Sequence, residues 1–366
     1  MHHFIYLCFF FIANLLRLSY VSALTEIPQE HRHMIEHHPY RILGVGAACM
    51  DLLIPVSEDF LAHVPGEKGG AQPIGIEKLN QIISQSEVMP KLATGGSCAN
   101  TIKGLASLDE KCAFLSNIGS DALGEHFTQY MKKLGIVALF SKSSHPTPRV
   151  LCLITPDGQR TMRFCAGCSV EMSDHFLHPD YFKKVKLVHL DAYTLRNGNL
   201  TRRVMQLAKE AHAKVSIDLS SFEIIRDYHA TLLEILPLYV DIVFANEDET
   251  RALTGLGALE GCLKLQEICP VAVTLMGKEG CLVGHKGEVF HSPGFPAQLV
   301  DSTGAGDLFA SGFLYGYLQG YSLPKCARLG NRFGSAIVEV QGAELPAEKW
   351  KGIQASLLED PIFQSL

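Results

Sequence analysis

Between Leu299 and Gly320 the chain reads LVDSTGAGDLFASGFLYGYLQG. Asp301 closes an extended segment, residues 303–306 carry almost no side-chain bulk, and an apolar helical pattern follows through Leu308, Phe309, Phe313, Leu314 and Leu318. A turn of small residues before a helix points the backbone N–H groups of Gly304, Ala305 and Gly306 outward at a helix N-terminus, which attracts anions. Preorganised donors of this kind suit the charge of a transferring phosphoryl group. Asp307 stands one residue inside that anion hole, close enough to accept a proton from an attacking hydroxyl. A helix-capping acid after a glycine turn is the plainer alternative, and it explains the glycines on both sides of Ala305 less well.

Other segments carry weaker signals. GGSCAN contains Gly95, Gly96 and Asn100, but Gly-Gly before a helix is ordinary on its own. ANEDE brings Asn246 and Glu249 to a helix start; the oxygen ligands that Mg²⁺ demands and the acids of a solvated helix end look alike here. Arg160 follows the turn sequence Pro156-Asp157-Gly158, as an exposed hairpin arginine also would. GVGAACMD at the end of the first apolar run invites a dinucleotide reading through Gly44 and Gly46. Cys49 occupies the place of the third glycine and no helix start follows, which excludes it. Cys165 and Cys168 have CxxC spacing without a second pair or a histidine at zinc spacing, so a structural role is expected.

The elements that must position these groups alternate. Apolar runs at 41–47, 112–119, 186–193, 214–220, 241–247 and 271–277 are separated by helical patterns at 97–108, 122–134, 199–213, 226–238, 247–254, 258–267, 305–319 and 324–340. Strands apolar on both faces between helices predict a doubly wound α/β domain, its mostly parallel sheet covered on both sides. Two stretches escape that logic. Residues 52–75 are rich in Pro and Gly, and residues 138–170 hold the extended runs RVLCLIT and RTMRFCA, so both are read as parts of a small inserted β lid over the strand-end crevice. One domain over residues 39–350 is expected, although 366 residues alone would suggest two.

Composition narrows the partners. Lys and Arg total 32 against 38 Asp and Glu, for a net charge of −6, and no basic stripe is present, which argues against nucleic acid. Eleven cysteines scattered beside apolar neighbours suit buried thiols in a reducing compartment. The N-terminus disagrees: FIYLCFFFIA at 4–13 and the small triplet Val21-Ser22-Ala23 look like a secretory signal. The run is too short for a confident spanning helix, no Lys or Arg precedes it, and a translation start near Met34 is the alternative. Residues 1–38 are therefore set aside as an extension, with a cytoplasmic location expected and no stable membrane partner.

DSTGAGD matches the D-x-T-G-A-G-D hallmark of the ribokinase-like (PfkB) sugar and nucleoside kinases, and the chain resembles that family over about residues 40–345. The resemblance implies the ribokinase-like fold, ATP with Mg²⁺, a small-molecule sugar or nucleoside acceptor, and a monomer or homodimer. It implies Asp307 as catalytic base and Gly304 to Gly306 as the anion hole. Gly95, Gly96 and Asn100 would approach the sugar hydroxyls, and Asp51 would grip two adjacent ribose hydroxyls, chemistry that a carboxylate performs well. Asn246 and Glu249 match the family's N-x-x-E, which organises Mg²⁺ through water; Thr274 and Gly277 match the turn that holds nucleotide phosphates; Arg160 matches the arginine of the lid hairpin. GGSCANT, TPDGQRTM, IDLSSFEIIRDYH and VDIVFANEDE look most like the bacterial adenosine-kinase-like branch. Against adenosine itself, Ala47 stands where those relatives often carry Asn, and Phe164 is the one clear aromatic candidate for stacking. A kinase of a free sugar and a catalytically idle nucleoside or sugar binder are the alternatives.

Overall fold

Runs buried on both faces require a sheet covered from both sides, and the computed structural model, which describes residues 27–157 and 159–359, contains one. In chain order the strands are β1 (Ile42–Val45), β2 (Cys49–Pro55), β3 (Ala71–Pro73), β4 (Lys91–Gly95), β5 (Cys112–Gly119), β6 (Val137–Ser143), β7 (Arg149–Ile154), β8 (Arg160–Cys165), β9 (Leu187–Asp191), β10 (Lys214–Asp218), β11 (Ile242–Asn246), β12 (Val271–Leu275), β13 (Cys281–His285) and β14 (Glu288–Ser292). The large sheet runs β14-β13-β12-β11-β10-β9-β1-β5-β6. It is parallel from β12 to β6, with β13 and β14 antiparallel at one edge.

From β1 the chain winds outward to β5 and β6, then returns to the other side of β1 with β9. At such a reversal the connections leave in opposite directions and open a crevice at the carboxyl ends of the strands. Helices Ser97–Ala106, Ala122–Lys133, Ala305–Leu318 and Leu323–Ile337 cover one face around Ile42, Phe114, Phe244 and Phe313. Helices Leu200–Glu210, Phe222–Tyr239, Glu247–Thr254 and Ala258–Ile268 cover the other around Val188, Leu190, Ile217 and Val243.

A second sheet, β3-β8-β7-β2-β4, stands over the crevice. Strand alternation gives it two unlike faces. Leu52, Ile54, Leu151 and Leu153 point outward under Leu61, Leu79 and Ile82 of the helices Glu58–Ala62 and Ile76–Gln85. Asp51, Val150, Arg160, Met162 and Phe164 alternate with the opposite side.

The lid segments expected at 52–75 and 138–170 need correction. Residues 138–143 belong to β6 in the large sheet: Val137 to Phe140 are all buried, the signature of an internal run rather than of a half-exposed lid strand. Conversely, β4 belongs to the small sheet; its short sequence KLATG, exposed at Lys91 and Leu92 and buried at Thr94 and Gly95, gave no strand signal. Residues 167–182 form short 3₁₀ turns, with Cys168, Tyr181 and Phe182 buried. Residues 27–38, assigned to the extension, also pack into the domain. Ile27 is buried, His31 Nδ1 is hydrogen-bonded to Tyr181 Oη at 2.9 Å, and Tyr40 Oη donates to the Tyr181 carbonyl at 2.8 Å. The apolar run 4–13, the triplet 21–23, Cys8 and Gly158 lie outside the described residues. Among the described residues no helix is long and apolar enough to cross a membrane, and the cysteines are free thiols.

Candidate active site

The helix Ala305–Leu318 starts where a bulky residue has no room. Gly304 adopts φ +77°, and a Cβ there would stand 2.7 Å from the Ala343 Cβ. No side chain caps this helix. Of the expected Gly304-to-Gly306 set, the Ala305 amide is used inside the turn, donating to the Ser302 carbonyl at 3.2 Å. A Cβ on Gly306 would meet nothing closer than Leu275 Cδ1 at 3.6 Å, so backbone is open to the crevice there.

Asp307 is fixed by the neighbouring helix Ser97–Ala106. Ser97 Oγ donates to its Oδ1 at 2.7 Å, Asn100 Nδ2 donates to its Oδ2 at 2.8 Å, and Thr101 Oγ1 donates to its carbonyl at 3.1 Å. Burial pushes the Asp307 carboxyl up to about 6, against the pull of Asn100, Ser97 and the Lys103 charge. Asn100, expected at the acceptor hydroxyls, spends its amide nitrogen on Asp307. Its buried Oδ1 has no hydrogen-bond partner among the described residues.

Asp51 and Gly95 come together where β2 and β4 pair, Cys49 opposite Gly95. A Cβ on Gly95 would stand 2.8 Å from both carboxylate oxygens of Asp51, so glycine is what lets that carboxylate lie against the backbone. Gly96 has φ +100°, and a Cβ there would meet the Ala47 carbonyl at 2.4 Å. Burial raises the Asp51 carboxyl to about 6, opposed by Lys103 and Arg160.

Arg160 reaches down from β8 to the turn that precedes the anion site. It forms an ion pair with Asp301, and its Nη1 donates to Thr303 Oγ1 at 2.9 Å. Asp301 Oδ1 also accepts from the Thr303 amide at 3.1 Å and Oδ2 from the Gly342 amide at 2.6 Å. The small sheet is thereby latched onto the turn that precedes the helix Ala305–Leu318.

Along the next strand ends, Asn246 caps the helix Glu247–Thr254. Its Oδ1 accepts from the Glu249 amide at 2.8 Å while Glu249 Oε2 accepts from the Asn246 amide at 2.9 Å. Asn246 Nδ2 holds the other Glu249 oxygen at 2.8 Å. Burial lifts Glu249 to about 7, and the Asp218 carboxyl at the end of β10 is also raised by burial and by Glu249. Glu249 thus has both oxygens engaged, which fits action on a cation through water better than direct ligation. Among the described residues no group of three or more His, Cys, Asp or Glu could hold a metal ion by itself. Thr274 departs from expectation: it is fully buried and its hydroxyl is hydrogen-bonded to Thr250 Oγ1 at 3.1 Å, directed into the helix packing rather than the crevice. Gly277, φ +54°, has open space around it at the end of β12.

Sequence reasoning missed Ser97, Lys103, Asp191 and Glu344. Asp191, at the end of β9, accepts from the Cys98 amide at 3.2 Å with its Oδ2 and leaves Oδ1 without a partner. Ser97 lay inside the quoted GGSCAN. Lys103 was detectable as a charge three residues beyond Asn100 in an otherwise apolar or small-residue helix.

Residues 84–350 match the pfkB family carbohydrate kinase model, and the chain belongs to that family. It is a phosphotransferase with an alcohol group as acceptor, built on the ribokinase-like α/β fold. The chain is 26% identical to a nucleoside kinase of Methanocaldococcus jannaschii over 259 residues, which cover 70% of this chain and 82% of that one. Its structure is similar to that of adenosine kinase from Sinorhizobium meliloti, with TM-score 0.78 and 28% identity over 87% of this chain and 99% of that one. A probable sugar kinase from Rhizobium etli CFN 42 gives TM-score 0.79 and 27% identity, covering 87% and 98%.

Proposed function

We propose that the protein transfers the γ-phosphoryl group of ATP to the primary hydroxyl of a ribose-containing acceptor, a nucleoside such as adenosine. The observation that carries this reading is a cross-strand row on the crevice face of the small sheet: Asp51 pairs with Val150, Val150 with Phe164, and Phe164 with Pro73. Paired residues share a face and neighbouring strands stand about 4.8 Å apart, so the row sets an apolar, aromatic-bearing surface beside the diol-gripping carboxylate. Val150 and Phe164 are only partly covered. A ribose held by Asp51 would lay its base over them.

In this reading Asp51 accepts two hydroxyl hydrogens of the acceptor, and Gly95 and Gly96 allow close approach. The attacking hydroxyl comes to Asp307, which takes its proton late. Most of the rate comes from positioning and charge, because phosphoryl transfer leaves the protein little covalent work. The Gly306 and Asp307 amides receive the developing phosphate charge. Arg160 exchanges Asp301 for phosphate as the small sheet closes and excludes water. Asn246, Glu249 and Gly277 serve the nucleotide side. Mg²⁺, when bound, supplies charge neutralisation at the phosphate oxygens, with Glu249 orienting its water. A cytoplasmic enzyme, monomeric or homodimeric, suits free thiols and ATP dependence.

A free-sugar acceptor is the second reading, favoured by Ala47, which offers no side-chain amide beside Asp51. Nucleosides and free sugars, each with ATP and Mg²⁺, are to be screened by ADP release. Nucleoside-dependent release supports the first reading, sugar-dependent release replaces it, and binding without ADP identifies a non-catalytic binder.

A further inference from the structure

Lys103 is 4% exposed, a burial that an ammonium tolerates only when its hydrogen bonds are made. Its Nζ donates to the Thr94 carbonyl at 2.7 Å, to Thr94 Oγ1 at 2.9 Å and to Glu344 Oε1 at 3.1 Å, which uses all three of its hydrogens. Thr94 Oγ1 in turn donates to Glu344 Oε1 at 2.5 Å, and Tyr130 Oη donates to Glu344 Oε2 at 3.0 Å. Thr94 immediately precedes Gly95, on whose backbone the Asp51 carboxylate lies. Lys103 itself rides on the helix whose Ser97 and Asn100 hold Asp307. One buried cation is therefore joined by short connections to both acidic groups of the reaction.

A buried ion pair is a poor device for stability alone, since well-packed apolar residues of similar volume often serve as well or better. The surroundings show what the charge does. Asp51 is faced by Lys103, Arg160, Asp307 and Glu344, and by the thiols of Cys49 and Cys152. Asp307 is faced by Lys103 and by the carboxyls of Asp51, Asp191, Asp218 and Glu249. The two cations among these are Lys103 and Arg160, and Arg160 belongs to the small sheet. Asp51 belongs to that sheet as well, whereas Lys103 stands on the helix that holds Asp307 and reaches across to Thr94 of the sheet.

We infer that Lys103, clamped by Thr94 and Glu344, is a positioning residue of phosphoryl transfer that ties the strand pair bearing Asp51 to the helix that holds Asp307 and sets one positive charge between the two carboxylates. This rests on the kinase reading above for its catalytic meaning, and its electrostatic part is measurable without turnover.

The test uses the full chain as wild type and as Lys103→Met, Lys103→Arg and Glu344→Gln, with aspartate carboxyls followed by ¹³C NMR titration and Asp51→Asn serving for assignment. Removing the Lys103 charge is expected to move the Asp51 and Asp307 midpoints, and the acid limb of kcat/KM, up by about one pH unit, because a nearby cation favours the carboxylate. Lys103→Arg is expected to restore most of that shift. Glu344→Gln removes an anion and is expected to move the Asp51 midpoint down, the opposite sign, which loss of packing does not produce. Unchanged midpoints in folded Lys103→Met overturn the inference. Should that variant fail to fold, an Asp51 midpoint that stays put or rises in Glu344→Gln overturns it. Wild type that releases no ADP with any acceptor while its midpoints move as stated removes the kinase reading and leaves the electrostatic role standing.

Discussion

Asn100 Nδ2 and Asp307 Oδ2 are hydrogen-bonded at 2.8 Å although 207 positions separate them in the chain. With Ser97 on the other oxygen, the carboxylate has no freedom to rotate, and its remaining lone pairs are committed to one direction. Asn100 thus spends its amide nitrogen on orienting Asp307 and keeps Oδ1 for another partner.

Asp307→Asn is expected to lower kcat by roughly 10²- to 10⁴-fold or more with ATP affinity nearly unchanged. Asn can still accept from Asn100 Nδ2 through its amide oxygen and donate its NH2 to Ser97 Oγ, with that bond reversed, so the main loss is the proton acceptor. Steady-state kinetics and ATP titration check this, and wild-type turnover would exclude Asp307 as base.

The same substitution is expected to stabilise the protein at neutral pH. The folded Asp307 carboxyl sits near 6, above the ordinary value of about 3.9. Between those values the folded state holds more protons than the unfolded state, so its stability falls as pH rises from about 4 to 6 and stays reduced above. Asp307→Asn removes that cost, worth about 1–3 kcal/mol at pH 7.5 and vanishing near pH 4. Denaturant unfolding at the two pH values measures the difference.

Asp51→Ala is expected to raise KM for the acceptor at least tenfold while KM for ATP moves little, since the lost charge-assisted bonds lie on the acceptor alone. Equal effects on both substrates would remove the diol grip.

Arg160→Gln breaks the contact between β8 and the Asp301 turn. The small sheet is then expected to open more often, seen as faster protease cleavage near residues 155–160 without ligand, and kcat is expected to drop roughly 10-fold or more from the lost phosphate charge. Unaltered cleavage would mean that other contacts close the sheet.

Gly96→Ala places a Cβ against the Ala47 carbonyl at a backbone angle that disfavours side chains. A stability loss of about 2 kcal/mol or more is expected by thermal unfolding, whereas Gly277→Ala, which has space around it, should cost less.

How legible these parts were depended on where their information resides. DSTGAGD announced itself because backbone that must approach an anion tolerates little besides small residues, and continuous apolar runs marked the large sheet. β4 stayed hidden because a short edge strand such as Lys91–Gly95, exposed over its first two residues only, needs no apolar alternation. Thr274 was misread because a threonine at a strand end looks alike whether its hydroxyl faces a ligand or, as here, Thr250. Lys103 and Glu344 were invisible as a pair: 241 positions apart, they have no local spacing to betray them.

The partners of the Ser97–Ala106 helix have a bearing on how the chain acquires its shape. Asn100, Thr101 and Ser97 wait for Asp307, while the Thr101 carbonyl waits for the Ser311 hydroxyl, all more than 200 positions later. During synthesis the strands of the small sheet are complete by residue 165, yet the helix Ser97–Ala106 lacks its partners Asp307 and Ser311 until the last quarter of the chain is emerging. Contacts of such long sequence separation form slowly, so on the ribosome the strands of the small sheet precede the polar clasp around Asp307, and a nascent chain can display the first well before it possesses the second.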